Sequence, residues 1–142
     1  MRREEILNNI HPTKMEKLAQ DVLSDFFKCE VAHIGRSGDG GIDLLMLSGD
    51  KEYAVQVKRR LNSGHVEQVN PIREFLGVLK LRAKTRGMFI TTGQDFTRGC
   101  YTEAQLAKDM ELVSEFELYN RDRFMSLLKA SDTKSNPWDK FL

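Results

Sequence analysis

A glycine-dense segment separates two β-patterned runs in the first half of the chain. Five of the seven residues from Gly35 to Gly41 are Gly or Ser, and residues without a bulky side chain let another backbone or a ligand approach closely. The segment leads into Asp43 within an apolar run, 42–47, and a Ser-Gly-Asp-Lys turn then joins it to a β-patterned run, 52–58. Such a turn predicts a β-hairpin with an acid at its open end.

The second strand of this hairpin carries polar residues where a covered strand should be apolar. Because side chains alternate along a strand, Gln56 and Lys58 share one face and Val57 lies on the other. A buried lysine is costly unless it is paired, and Asp43 on the neighbouring strand is the natural partner. The pattern predicts a buried ion pair, a strand end that reaches solvent, or a site that combines an acid, an amide and an ammonium group.

The rest of the chain alternates helical and β patterns. Thr13 and Glu16 have the spacing of a capping box before an amphipathic run, which predicts a helix over 13–28. The complete predicted order is α-β-β-β-α-β-α-β-α. It indicates an α/β fold in which helices flank a mixed five-stranded sheet on both faces. We expect an N-terminal arm over 1–12, one domain over 13–130, and a polar tail over 131–142 that contains Trp138.

Composition is that of a globular domain. The chain has 142 residues, of which 40% are hydrophobic and 30% charged, enough for one core without disulfides. No apolar run is long enough for a membrane helix, and the charged N-terminus is unlike a signal peptide, so we expect a cytoplasmic protein. Cys29 and Cys100 are isolated, which predicts reduced thiols and no structural zinc. A net charge of +1 leaves nucleic-acid and protein partners open.

The polar residues of the hairpin match the needs of metal-dependent phosphodiester cleavage, which requires hard oxygen ligands and a positive charge near the phosphate. Asp43 can supply a carboxylate ligand, while Gln56 and the backbone carbonyl of Val57 can add neutral oxygens. Lys58 can position the attacking water and stabilise the transition state. One carboxylate and one amide hold Mg²⁺ weakly, so we expect a second carboxylate from Glu16, although a capping role would also explain that residue.

These residues together resemble the catalytic core of the Mrr-type restriction endonucleases, in the Gln-x-Lys branch of the PD-(D/E)xK nuclease superfamily. The two motifs that carry the resemblance are Gly38-Asp39-Gly40-Gly41-Ile42-Asp43 and Gln56-Val57-Lys58. The resemblance extends over roughly residues 13–129 and includes Met15-Glu16, where the family has an aromatic residue before the Glu.

The resemblance implies a restriction-type, metal-dependent DNA endonuclease with a restriction-endonuclease-like fold. Its site would comprise Asp43, Gln56, Lys58 and Glu16, with Mg²⁺ as the metal and Mn²⁺ as a substitute. We expect phosphate contacts from four further residues: Arg36, Ser37, Arg59 and Arg60.

Family members that act as restriction enzymes carry a separate DNA-recognition domain, for which 142 residues leave no room. We therefore expect that a separate recognition protein supplies specificity, and a double-strand cut with one site per chain favours a homodimer. Two alternatives stay open. One is a Holliday-junction-resolvase-like nuclease, and the other is a non-catalytic copy of the fold that only binds DNA or a protein.

Overall fold

The computed structural model describes residues 3–35 and 41–131. Arg36, Ser37 and Trp138, for which the sequence suggests contacts, lie outside the described residues. The described helices and strands are, in chain order, α1 (Arg3–Asn9), α2 (Pro12–Phe27), β1 (Glu30–His33), β2 (Leu44–Ser48), β3 (Lys51–Lys58), β4 (Val66–Glu67), α3 (Val69–Leu81), β5 (Arg86–Thr91), β6 (Asp95–Phe96), α4 (Arg98–Asp109), β7 (Glu115–Tyr119) and α5 (Arg121–Ser131).

Five strands form one mixed sheet in the order β1-β2-β3-β5-β7. The β1–β2 and β2–β3 pairs are antiparallel, whereas β3, β5 and β7 run parallel to one another through helical crossovers. This arrangement confirms the predicted α/β class and the mixed five-stranded sheet. It also places the start of β2 beside the ends of β3 and β5, so that one edge of the sheet collects all of these termini.

Helices cover both faces of the sheet, as the alternation along β3 predicts. Val55 and Val57 belong to a core cluster shared with α1, α2 and α5, whereas Ala54 belongs to a second cluster shared with α3 and α4. Phe75 and Phe89 pack edge to face in the second cluster. Burying a large apolar side chain contributes about 1.5–3 kcal/mol, so these two layers hold the sheet rigid. No described helix has the length and hydropathy that crossing a membrane requires.

The predicted N-terminal arm is part of the core. Residues 3–9 form α1, and Ile6, Leu7 and Ile10 are buried in the cluster that also contains α2 and α5. The expected boundary between residues 12 and 13 therefore does not coincide with an edge of the packed domain. Two apolar side chains of this short helix and Ile10 just after it lose contact with water when they pack, and this burial holds the segment in place.

The start of α2 and two short strands differ from the prediction. Helix α2 begins at Pro12, one residue before its predicted start, because proline suits the first helical position. His11 is the N-cap, and its ring accepts a hydrogen bond from the Thr13 N–H. Two strands outside the predicted order, β4 and β6, precede α3 and α4 and pair in parallel.

Candidate active site

Asp43 is held by hydrogen bonds from both neighbouring strands. Its backbone N–H donates to Val55 O at 2.8 Å, and its carbonyl accepts from Ile34 N and Gly35 N at 2.9 Å each. The side chain extends towards β3, where Oδ2 accepts from Val57 N at 2.7 Å. The hairpin therefore fixes one carboxylate oxygen, while the other, Oδ1, lies beside Gly35.

The environment of Asp43 disfavours its negative charge. The pKa of the Asp43 carboxyl is raised to about 6, chiefly by burial and in addition by the neighbouring charge of Glu16. The hydrogen bond from Val57 N and the charges of Lys58 and His33 oppose this rise in pKa. A carboxylate that burial and a second carboxylate both destabilise is stabilised when a cation binds beside it.

Glu16 and Asp43 border the same small space. A Cβ atom at Gly35 would lie 2.6 Å from Glu16 Oε1 and 3.2 Å from Asp43 Oδ1, so only glycine leaves this space open. Glu16 Oε1 also lies 2.7 Å from His33 Nε2 on β1. The capping role that the sequence suggests for Glu16 is wrong, because its side chain is turned towards β1 and the N-cap of α2 is His11.

Gln56 on β3 carries a buried side-chain oxygen. The residue is 8% exposed, and its Oε1 has no hydrogen-bond partner among the described residues. Gly41, at a φ of 97°, passes so close that a Cβ atom there would collide with Gln56 Nε2. A buried amide oxygen without a partner costs about 1–3 kcal/mol, so this oxygen is free to accept a ligand.

The three oxygen donors Asp43, Glu16 and Gln56 suit a hard divalent cation such as Mg²⁺. Within residues 3–35 and 41–131, no group of three or more His, Cys, Asp or Glu side chains is arranged to hold a metal. The Val57 N–H is already used by Asp43, and a ligand role for the Val57 carbonyl stays a prediction.

Lys58 ends β3 beside these oxygens. Its positive charge acts on the Asp43 carboxyl, and its backbone carbonyl accepts from Thr92 N at 3.0 Å. The residue as a whole is half-buried. Asp43, Gln56, Lys58 and Glu16 are thus brought to one edge of the sheet by α2, by β3 and by the turn before β2.

The two arginines after Lys58 have different surroundings. Arg59 is half-buried, and its Nε finds no partner within the described part of the chain. Arg60 forms a two-pronged contact with Glu67, from Nε to Oε2 at 2.7 Å and from Nη2 to Oε1 at 2.6 Å. The structure thus directs the Arg60 guanidinium inward.

Sequence reasoning missed two polar residues at this edge, His33 and Glu67. His33 contacts Glu16, and Glu67 is completely buried. Neither residue belongs to a recognisable motif, although a histidine at the end of a strand that leads into the glycine-dense segment could have been considered.

The comparison with known families finds a matching family model. The model of the Mrr catalytic domain, described as a restriction endonuclease, matches residues 7–127. The match runs from α1 into α5, and it includes every strand and all four polar residues of the site. No curated protein matches the chain. Since the match covers most of the 142 residues, the chain belongs to the Mrr-type restriction endonuclease catalytic-domain family.

Proposed function

We propose that this protein is a Mg²⁺-dependent DNA endonuclease that hydrolyses phosphodiester bonds at the edge formed by Asp43, Glu16, Gln56 and Lys58. One observation carries the proposal. The carboxylates of Asp43 and Glu16 border the same space beside Gly35, and Gln56, the neighbour of the Val57 that binds Asp43, has an unpartnered buried oxygen. A fold that only needed stability would gain by replacing these groups with apolar side chains.

Each residue has a distinct task in this proposal. Asp43, Glu16 and Gln56 would hold the cation, which when bound supplies positive charge to the phosphate and lowers the pKa of water. Asp43 keeps a fixed orientation because Oδ2 is tied to Val57 N. His33 orients Glu16 through the contact at 2.7 Å. The Lys58 ammonium orients the attacking water and stabilises the charge that develops on the phosphate oxygens.

DNA would approach the edge of the sheet where Lys58 ends β3. Arg59 follows directly and is half-buried, with a buried Nε, and we keep it as a proposed phosphate contact because it is next to Lys58. Arg36 and Ser37 stay predicted contacts on sequence grounds alone. Arg60 is paired with Glu67, and we assign it an internal role below.

A cleavage assay tests the proposal. The purified protein is incubated with linear, supercoiled, methylated and branched DNA, each with Mg²⁺, with Mn²⁺ and with a chelator. We expect cleavage of at least one substrate with either metal and none with the chelator. Asp43→Ala should abolish this cleavage, because the carboxylate that holds the metal is lost. Asp109→Asn, on the exposed surface of α4, is the matched control and should cut like the parent.

The same assay separates the alternatives. Cleavage restricted to branched DNA would favour a junction-resolving nuclease. A parent protein that binds DNA but cuts none of the four substrates would favour a non-catalytic binding domain. Cleavage by Asp43→Ala at the parental rate would refute the assignment of the site. A salt series on binding adds a second test, because phosphate contacts weaken steeply as salt rises.

A further inference from the structure

Glu67, in the short strand β4, is a buried carboxylate outside the proposed metal site. Its side chain is 0% exposed. It accepts three hydrogen bonds, two from the Arg60 guanidinium at 2.7 and 2.6 Å and one from Thr91 Oγ1 at 2.6 Å. Burial raises the pKa of Glu67, but the hydrogen bonds from Arg60 and Thr91 outweigh burial and leave the pKa below its ordinary value. Glu67 is therefore ionised in the folded protein.

The partners of Glu67 flank Lys58 on both sides. Arg60 follows Lys58 by two residues, and Thr91 on β5 is the register partner of Lys58 across the sheet. The next residue, Thr92, completes the connection, since its N–H donates to Lys58 O at 3.0 Å. Its Oγ1 accepts from Arg60 N at 2.7 Å.

These contacts tie the end of β3 to the end of β5. Without these contacts, the chain after Lys58 would leave the sheet where β3 ends. The Lys58 backbone would then be held only by its hydrogen bonds to the neighbouring strands. A buried ion pair is weak evidence for stability, because apolar residues of similar volume often stabilise a core equally well. The position of this pair, two residues beyond the proposed catalytic lysine, points to a role in geometry.

We propose that Glu67 is a positioning residue. Because it binds both Arg60 and Thr91, it fixes the Lys58 backbone and, through it, the position of the Lys58 ammonium group. This inference rests on the proposed nuclease function. It assigns Arg60 to the support of the site and not to a DNA phosphate. It also explains why a fully buried charge lies in a strand of only two residues.

Glu67→Gln is the test, with Glu115→Gln as its matched control. The amide keeps the size of Glu67 but loses the charge and one acceptor oxygen. Glu115 likewise binds an arginine and a hydroxyl, Arg86 Nε at 2.9 Å and Tyr53 Oη at 2.7 Å, but at the opposite end of the sheet. Both variants lose a hydrogen-bonded charge, Glu115 at a side chain that is 34% exposed and Glu67 at one that is 0% exposed. Only Glu67 lies beside Lys58.

We expect Glu67→Gln to lower kcat by about 10–100-fold, which is the usual effect of losing a supporting contact behind a catalytic group. KM and the affinity for DNA should stay unchanged, because Lys58 and Arg59 still face the DNA. Amide hydrogen exchange, which needs no activity, should accelerate at Arg60 and Thr92 in Glu67→Gln. Glu115→Gln should change none of these quantities.

Two results would overturn the inference: a parental kcat in Glu67→Gln, and amide exchange at Arg60 and Thr92 that is unchanged in that variant. A parental kcat together with a rise in KM or a loss of DNA affinity would also place Arg60 in the DNA interface. An inert parent would instead refute the proposed function.

If Glu67→Gln does not fold, Thr91→Val is the second variant. It removes the hydrogen bond to Glu67 and also the one that Thr91 Oγ1 accepts from Gly93 N at 2.9 Å. Loss of the Glu67 contact, worth about 1 kcal/mol, should lower kcat about fivefold, and an unchanged kcat would refute the inference.

Discussion

Replacing Asp43 with Asn should stabilise the metal-free protein while it abolishes cleavage. The folded protein raises the pKa of Asp43 from its ordinary value of 3.8 to about 6. Between these two pH values the folded state binds more protons than the unfolded state, so stability falls as pH rises. Above this window the ionised carboxylate is a net cost, because burial and Glu16 oppose its charge more than Val57 N, Lys58 and His33 favour it.

The magnitude follows from the same pKa. A rise from 3.8 to about 6 corresponds to about 3 kcal/mol, because each pH unit is worth about 1.4 kcal/mol. Asp43 is partly exposed to solvent, and screening reduces the expected gain to about 1–2 kcal/mol. The asparagine side chain in the Asp43→Asn variant would be neutral, and its oxygen could still accept from Val57 N.

Urea denaturation in the presence of a chelator measures this gain. At pH 8, Asp43→Asn should have a free energy of unfolding about 1–2 kcal/mol above the parent. The difference should shrink as pH falls through 6 and disappear below 3.8, where the carboxyl is protonated in both states. Asp109→Asn controls for the removal of one exposed charge. An Asp43→Asn variant that is less stable than the parent at pH 8, or a difference independent of pH, would refute the reasoning.

Three further predictions test other parts of the site and the fold. Gly35→Ala should reduce cleavage at least tenfold with little loss of stability, because its Cβ would displace the flexible Glu16 carboxylate; an unchanged rate would show that this space is not used. Mg²⁺ should raise the Tm of Gln56→Glu by more than it raises the Tm of the parent, because a third carboxylate strengthens cation binding and weakens the metal-free protein. A smaller increase in Tm than in the parent would exclude Gln56 as a ligand. Leu7→Ala should lower the free energy of unfolding, measured by urea denaturation, by about 2–5 kcal/mol, as for a core leucine. A decrease below about 1 kcal/mol would show that α1 does not contribute to the core.

The sequence predicts the sheet and the site best where a pattern is long or the residue types are unusual. Helix α2 has a clear helical period, so the sequence predicts it to within a few residues. Gln56 and Lys58 stand out because polar residues in a covered strand need a reason. The alternation of side chains along a strand places both residues on one face. The structure places the start of β2 beside the end of β3, as expected.

The parts that the sequence missed depend on contacts between distant segments. Strands β4 and β6 have two residues each, too few to show any period. Glu67 appears as an ordinary surface glutamate until Arg60 and Thr91 fold around it. For Glu16 the local pattern is misleading, since the capping-box spacing is present but His33 competes for its carboxylate. The spacing of the buried apolar residues in and after α1 does carry a helical signal, which the surrounding polar residues obscure.

The role of Lys58 is the central claim, and one pair of variants tests it most directly. Lys58 and Lys51 lie at opposite ends of the same strand, and Lys51 pairs with Glu115 at 3.5 Å, away from the site. Single-turnover cleavage of saturating DNA with Mg²⁺ is measured for Lys58→Ala and Lys51→Ala. We predict a loss of at least about 100-fold for Lys58→Ala, as for other groups that stabilise transition-state charge, and a parental rate for Lys51→Ala. Equal rates in the two variants would contradict the account.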